Sequence, residues 1–189
     1  YEIAIALKRL GVKTTLIAGP SNIDTEKGLK IIKVKTSDDM FAAVKKTLPV
    51  DVAVCTAAVA DFKPVVFQKN KIKKNNFKEQ LVLQNTVDIL NYLGKNNRHR
   101  PKLVVGFSAE TKNILYNSKN KLKNKNIDWI VANDVSKKDI GFNKDYNEVT
   151  IIETSGQVSR IKKNKKRFIA SIISEKIMNK LLINDKNIN

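Results

Sequence analysis

VDVAVCTAAVADF, residues 50–62, is the stretch that decides the fold. Its first six positions are apolar apart from Asp51 and form a short β-branched run, which marks a strand covered by helices on both faces, as in a parallel sheet. The next seven, TAAVADF (56–62), are small and end on an acid and an aromatic. In an open α/β sheet ligands lie beyond the carboxyl ends of the strands. Small residues there let a ligand approach main-chain N–H and C=O groups closely.

Toward the N-terminus, residues 12–18 predict a strand closed by Gly19-Pro20, and 29–34 a second. Thr36 predicts a helix N-cap, with Asp39 reaching back three residues later. Met40, Ala43, Val44 and Leu48 continue the apolar stripe to Pro49. Residues 1–10 predict another helix, with Ile3, Ala6, Leu7 and Leu10 on one face and Gly11 closing it. A helix running at once into a strand is the second half of a β-α-β unit, so the first strand and its loop are expected to lie outside these residues.

Toward the C-terminus, residues 63–76 are charged and aperiodic, as in a functional flap. Residues 77–84 alternate, with Phe77, Leu81 and Leu83 on one side, as in an exposed or subunit-joining ribbon. A helix is expected from 88 to 93, a buried strand at 102–107, a lysine-rich helix at 111–125 and a strand at 127–132 ending in Asn133-Asp134. Residues 148–153 and 157–161 predict a hairpin around Ser155-Gly156. The last helix spans 165–182, with Ile169, Ile172, Ile173, Ile177 and Leu181 inward, and 183–189 form a polar tail. Strands alternating with helices give one α/β domain, 1–182: a Rossmann-like three-layer sandwich with a mostly parallel sheet, a flap or ribbon at 62–84, and a C-terminal β-hairpin plus helix.

The chain has 189 residues and a formal net charge of +18. Lysines are scattered and aromatics few, unlike a nucleic-acid face with clustered basic residues and stacking rings, so the charge is assigned to composition and no nucleic-acid partner is expected. No apolar run is long enough for a membrane helix and the start is not a signal peptide, so a cytoplasmic protein is expected. Cys55 stands alone, so no intrachain disulfide is possible, and it reads as a packed thiol. His99 lies in a polar loop with no acidic or cysteine neighbour in sequence, and no metal site is visible.

The rim of the predicted sheet supplies the candidates: Thr56, Ala57, Ala58 and Asp61 after one strand, Ser108, Ala109, Glu110 and Thr111 after another, Asn133 and Asp134 after a third. Asp61 can accept from sugar hydroxyls. Lys71, Lys73 and Lys74 lie in the flap, where ammonium groups can close over a triphosphate. Lys121 and Lys125 share one helix face and Lys119 and Lys123 a neighbouring one, a like-charge spacing that a bound polyanion would offset. Neither GxGxxG nor GxxxxGK[ST] occurs.

TAAVADF (56–62), KIKK (71–74), LVLQNTVDIL (81–90), VVGFSAET (104–111), the lysines at 121 and 125, IVANDVS (130–136) and GFN (141–143) occur in an order that resembles the ligase half of the bacterial bifunctional flavoprotein of coenzyme A biosynthesis. The resemblance runs from Tyr1 to about Leu182. It implies ligation of 4′-phosphopantothenate to cysteine, driven by CTP through an acyl-cytidylate, with Mg²⁺ accompanying the triphosphate. It implies that Cys55, Thr56 and Ala57 line the nucleotide pocket through their backbone and that Asp61 holds the ribose. Lys71 would be the flap lysine that stabilises charge during activation. Val87, Asp88, Ile89 and Leu90 would border the cytidine, Phe107 would pack on the nucleotide, and Lys121 and Lys125 would face its phosphates. Val87 departs from the proline usual in the family. The resemblance also implies a homodimer joined through 62–84, and an upstream flavin-dependent decarboxylase domain that carries FMN and is absent here. With the family's N-terminal strand and Ser/Gly-rich phosphate loop missing, these residues alone are expected to be inactive or nearly so. Two other readings stay open: an NAD(P)-dependent oxidoreductase domain of Rossmann type, and a basic nucleic-acid-binding module.

Overall fold

The computed structural model describes residues 1–21, 23, 26–66, 70, 81–95, 98–110, 113–134 and 144–186. The elements run α1 (Glu2–Arg9), β1 (Thr15–Ala18), β2 (Lys30–Lys33), α2 (Ser37–Thr47), β3 (Val52–Cys55), β4 (Phe62–Pro64), β5 (Leu83–Asn85), α3 (Ile89–Lys95), β6 (Leu103–Glu110), α4 (Ile114–Lys125), β7 (Trp129–Asp134), β8 (Tyr146–Glu153), β9 (Val158–Lys165) and α5 (Lys166–Lys186).

Local chemistry fixes several boundaries. α1 ends in a Schellman turn: Gly11 sits at φ 82°, its N–H bonds the Lys8 carbonyl and the Val12 N–H bonds that of Leu7. α2 opens on a capping box, the Asp39 N–H donating to Thr36 Oγ1 at 3.1 Å and the Thr36 N–H to Asp39 Oδ2 at 3.0 Å.

The main sheet has the order β3-β6-β7-β8-β9. β3, β6 and β7 are parallel, and β8 and β9 add antiparallel. Alternation along its strands divides the core. Leu103, Val105, Trp129, Val131, Val149 and Ile151 pack with Leu7 of α1 and Ile169, Ile173 and Ile177 of α5. Val104, Ile130, Ala132 and Ile152 pack on the other face with Ile89 and Leu93 of α3, Leu122 of α4, and Met40 and Val44 of α2. The three expected layers are therefore present. β1 and β2 pair parallel in a sheet of their own, and β4 and β5 form an antiparallel ribbon.

Some expectations shift. β6 continues to Glu110, so Ser108, Ala109 and Glu110 lie in a strand rather than beyond it. The cause is that β7 pairs with β6 through Glu110↔Asp134. α4 starts at Ile114, later than the expected 111. α5 runs on to Lys186, so 183–186 are helical where a tail was expected. Ile183 and its neighbours carry no helix breaker. Of the expected strand at 77–84, residues 77–80 lie outside the described residues, and β5 begins at Leu83.

Candidate functional site

At the carboxyl end of β3 the chain leaves the sheet as 56–61 and enters β4. Two hydrogen bonds tie this loop to the approach of α3: the Thr86 N–H donates to the Asp61 carbonyl at 2.9 Å, and Thr86 Oγ1 to the Ala60 carbonyl at 2.6 Å. The β4–β5 ribbon continues the same pairing, with Phe62 opposite Asn85. Residues 55–61 and 86–90, separate in sequence, thus become one wall.

Asp88 caps α3. Its Oδ1 accepts from the Asn91 N–H at 2.9 Å, and its Oδ2 pairs with Lys125 Nζ at 2.9 Å. Burial pushes the Asp88 carboxyl up, but the Asn91 N–H and the Lys125 ammonium outweigh it, and the group sits below its ordinary value. The Lys125 ammonium at the end of α4 is therefore fixed beside the α3 N-terminus. Cys55 forms the floor. Burial, then the Asp88 carboxylate, push its thiol up to about 11, with Lys125 opposing. The thiol stays protonated at neutral pH, which suits a packed side chain rather than a nucleophile.

Cys55, Thr56, Ala57, Asp61, Val87, Asp88, Ile89, Leu90, Phe107 and Lys125 all line one cavity, together with Thr86, Asn133 and Lys144. Of the expected site residues that the structure describes, only Lys121 is not on its wall. Lys71, with Lys73 and Lys74, lies outside the described residues. Lys121 bonds Glu110 Oε1 at 2.6 Å. Burial pushes the Glu110 carboxyl up, but Lys121, Asn117 and Ser108 together hold it below its ordinary value. Thr86 escaped the sequence reading because a lone threonine in QNTVDIL carries no signal of a long-range tie. Glu110 was noted as a rim residue, but not as the partner of Lys121.

The opposite end of the sheet is structural. Arg100 Nη2 holds Asp128 through both oxygens, at 3.1 and 3.0 Å, and the guanidinium also donates to the carbonyls of Gly94, Pro101 and Asn126. Asp128 Oδ2 also accepts from the Val104 N–H at 2.7 Å. Among the described residues no group of three or more His, Cys, Asp or Glu could hold a metal ion. No described helix is long and apolar enough to cross a membrane.

Comparison with known proteins agrees with this architecture. A family model described as the DNA/pantothenate metabolism flavoprotein C-terminal domain matches residues 1–181. The coenzyme A biosynthesis bifunctional protein CoaBC of Bacillus subtilis is 42% identical over 158 residues, which is 82% of this chain and 38% of that protein. The chain therefore spans under half the length of that relative. The crystal structure of the C-terminal domain of a CoaBC protein superposes with a TM-score of 0.78 at 31% identity, covering 98% of this chain and 82% of that one. A DNA/pantothenate metabolism flavoprotein from Streptococcus pneumoniae superposes with a TM-score of 0.75 at 20% identity, covering 94% and 86%, and shares the fold.

Proposed function

This chain belongs to the family of DNA/pantothenate metabolism flavoprotein C-terminal domains, and from that premise we propose that it is the phosphopantothenate–cysteine ligase part of an enzyme of coenzyme A biosynthesis. The observation that supports this reading is the shared wall: the expected nucleotide residues 55–57, 61, 87–90, 107 and 125 all line one long cleft that follows β3 and passes its carboxyl end.

A carboxylate is a poor acyl donor until its oxygen becomes a good leaving group. In the proposed reaction the 4′-phosphopantothenate carboxylate attacks the α-phosphorus of CTP. A P–O bond forms, the bond to the β-phosphate oxygen breaks, and pyrophosphate leaves. The cysteine amine then attacks the acyl carbon, the C–O bond to the cytidylate breaks, CMP departs, and the amine gives up a proton. The protein's part is positioning and charge stabilisation. The main chain of 55–57 and 87–90 would read the base and sugar, Asp61 would accept from the ribose hydroxyls, and Phe107 would pack against the nucleotide. Lys125, already lodged at the α3 N-terminus, would meet a phosphate. Lys121 would reach another by leaving Glu110, and Lys71 would close from the flap as charge develops.

No protein metal cage is available among the described residues, so Mg²⁺ would be held by the triphosphate oxygens, where it neutralises charge. The exposed apolar ribbon suits a subunit contact: Phe62, Val66 and Val82 are 59%, 66% and 66% exposed. We assign it to a homodimer. The bifunctional relatives support fusion to an upstream flavoprotein domain; we assign that domain as an FMN-dependent decarboxylase and the setting as the cytoplasm.

Calorimetric titration with CTP and Mg²⁺, NADP⁺ and duplex DNA tests the reading. Saturable CTP binding that is lost in Asp61→Ala supports it. Binding of NADP⁺ but not CTP, or salt-sensitive DNA binding alone, overturns it. In the complete enzyme, Lys71→Gln should cut turnover strongly with the fold intact, and unchanged turnover removes Lys71 from the flap role.

A further inference from the structure

Two lysines one helical turn apart on α4 are held differently. Lys125 lies on the cleft wall beside Asp88, which lines it too. Lys121 is held off that wall by Glu110, Nζ to Oε1 at 2.6 Å. The sheet explains the difference. β3 ends at Cys55, which lies opposite Gly106 of β6. β6 runs on to Glu110, an overhang of ~13 Å at ~3.3 Å per residue. α4 returns from the end of β6 toward the start of β7, so Lys121 stands about 6 Å nearer the carboxyl rim than Lys125. A ligand that passes outward from the β3 rim meets Lys125 first and the reach of Lys121 next.

Glu110 is placed as a strong acceptor. It is 8% exposed. Its second oxygen accepts from Asn117 Nδ2 at 3.1 Å. Ser108, two residues back on the same strand face, also bonds the carboxylate and is 7% exposed. The Lys121 side chain is 42% exposed, so it has room to leave, and Asn117 and Ser108 stay behind as donors to the carboxylate. A charged acceptor this buried competes with a phosphate for one ammonium, whereas a fully exposed ion pair would hold it only weakly.

We infer that Glu110 is a positioning residue that competes with the ligand for Lys121: it draws the ammonium back when no polyphosphate is bound, yields it to a triphosphate, and takes it back as pyrophosphate leaves. This role rests on the reading of the cleft wall as a nucleoside triphosphate site. Its consequence is opposite in sign to that of an ordinary structural contact, because removing Glu110 tightens polyphosphate binding. A tether closed about nine-tenths of the time weakens the Lys121 contact ~10-fold.

The test is calorimetric titration with CTP, CMP, pyrophosphate and tripolyphosphate, each with Mg²⁺, of the parent protein, Glu110→Gln, Lys121→Met and the double variant. Glu110→Gln should bind CTP, pyrophosphate and tripolyphosphate ~10-fold more tightly. It should leave CMP nearly unchanged, since a single phosphate meets Lys125 only. The gain should vanish in the double variant, whose affinities should match those of Lys121→Met; a gain that survives there comes from net charge and overturns the tether. Glu110→Asp keeps the charge but draws it back by one methylene, so it should give part of the gain, and it serves if the glutamine variant misfolds. Equal or weaker polyphosphate binding in both Glu110 variants, or an equal gain for CMP, also overturns the tether. The two readings separate. CTP binding without any gain removes the tether and keeps the nucleotide site, while a tripolyphosphate gain in a protein that binds no CTP keeps the tether and removes the nucleotide reading.

Discussion

Gly94→Ala isolates the contact that holds the lysine-bearing helix against α3. A Cβ on Gly94 would lie 2.0 Å from the Lys125 carbonyl oxygen and 2.8 Å from that of Asn126. An ordinary carbon–oxygen approach is ~3.3–3.6 Å, so α4 must retreat by roughly 1.3 Å. The obstructing atoms are backbone and cannot rotate away. The retreat also stretches the bond from Asn126 Nδ2 to the Gly94 carbonyl, now 2.9 Å. Overpacking of this kind costs ~1–3 kcal/mol, and the backbone clash with its strained hydrogen bond points to the upper end or beyond. Alanine returns ~1 kcal/mol in helix propensity. The net loss is about 2–3 kcal/mol, or ~4–12 °C in Tm for a chain of this size. Scanning calorimetry measures it, and CTP affinity should fall too because Lys125 ends the displaced helix. A variant that melts at or above the parent would show that helix propensity, not close approach, governs this position.

Three further outcomes are expected. Lys125→Ala should weaken CTP binding by ~10–100-fold, as loss of a charge-assisted contact of ~1.5–3 kcal/mol implies, while Lys123→Ala, which is off the cavity wall, should change it little; calorimetry separates them, and equal effects would mean α4 is turned otherwise. Arg100→Ala should cost about 2–3 kcal/mol in denaturant unfolding, since Asp128 and three carbonyls lose a half-buried partner, yet leave CTP affinity unchanged, and a loss of affinity would contradict the division of the sheet into a structural and a ligand end. Asp88 and Glu110 sit below their ordinary values of 3.8 and 4.5, so their stabilisation is complete above that range and is lost as pH falls through it and below. Unfolding midpoints should therefore hold from pH 7 to about 5.5 and drop below about 4.5, with Glu110→Gln showing the smaller drop; midpoints that rise on acidification would reverse the sign.

The parts of the fold that local chemistry dictates were readable in the sequence. The Thr36–Asp39 capping box, the Gly11 turn, the apolar strands at β3, β6 and β7 and the hairpin at Ser155-Gly156 each carry a short-range signal, and each is present. Boundaries set by tertiary pairing were not readable: β6 extends to Glu110 because β7 lies beside it. At the site, the resemblance named residues, but only the coordinates bring 55–61 and 86–90 together through Thr86. The two lysines four apart on α4 looked equivalent. Their partners separate them, Asp88 keeping Lys125 on the cavity wall and Glu110 drawing Lys121 away.

The most direct test of the nucleotide site is a backbone-amide NMR titration of the ¹⁵N-labelled chain with CTP and Mg²⁺. The account predicts saturable shifts confined to Cys55, Thr56, Ala57, Asp61, Asp88, Ile89, Phe107 and Lys125, with Arg100 and Asp128 at the far end unmoved. Shifts centred on Arg100 and Asp128, or none around the β3 rim at saturating CTP, would contradict it.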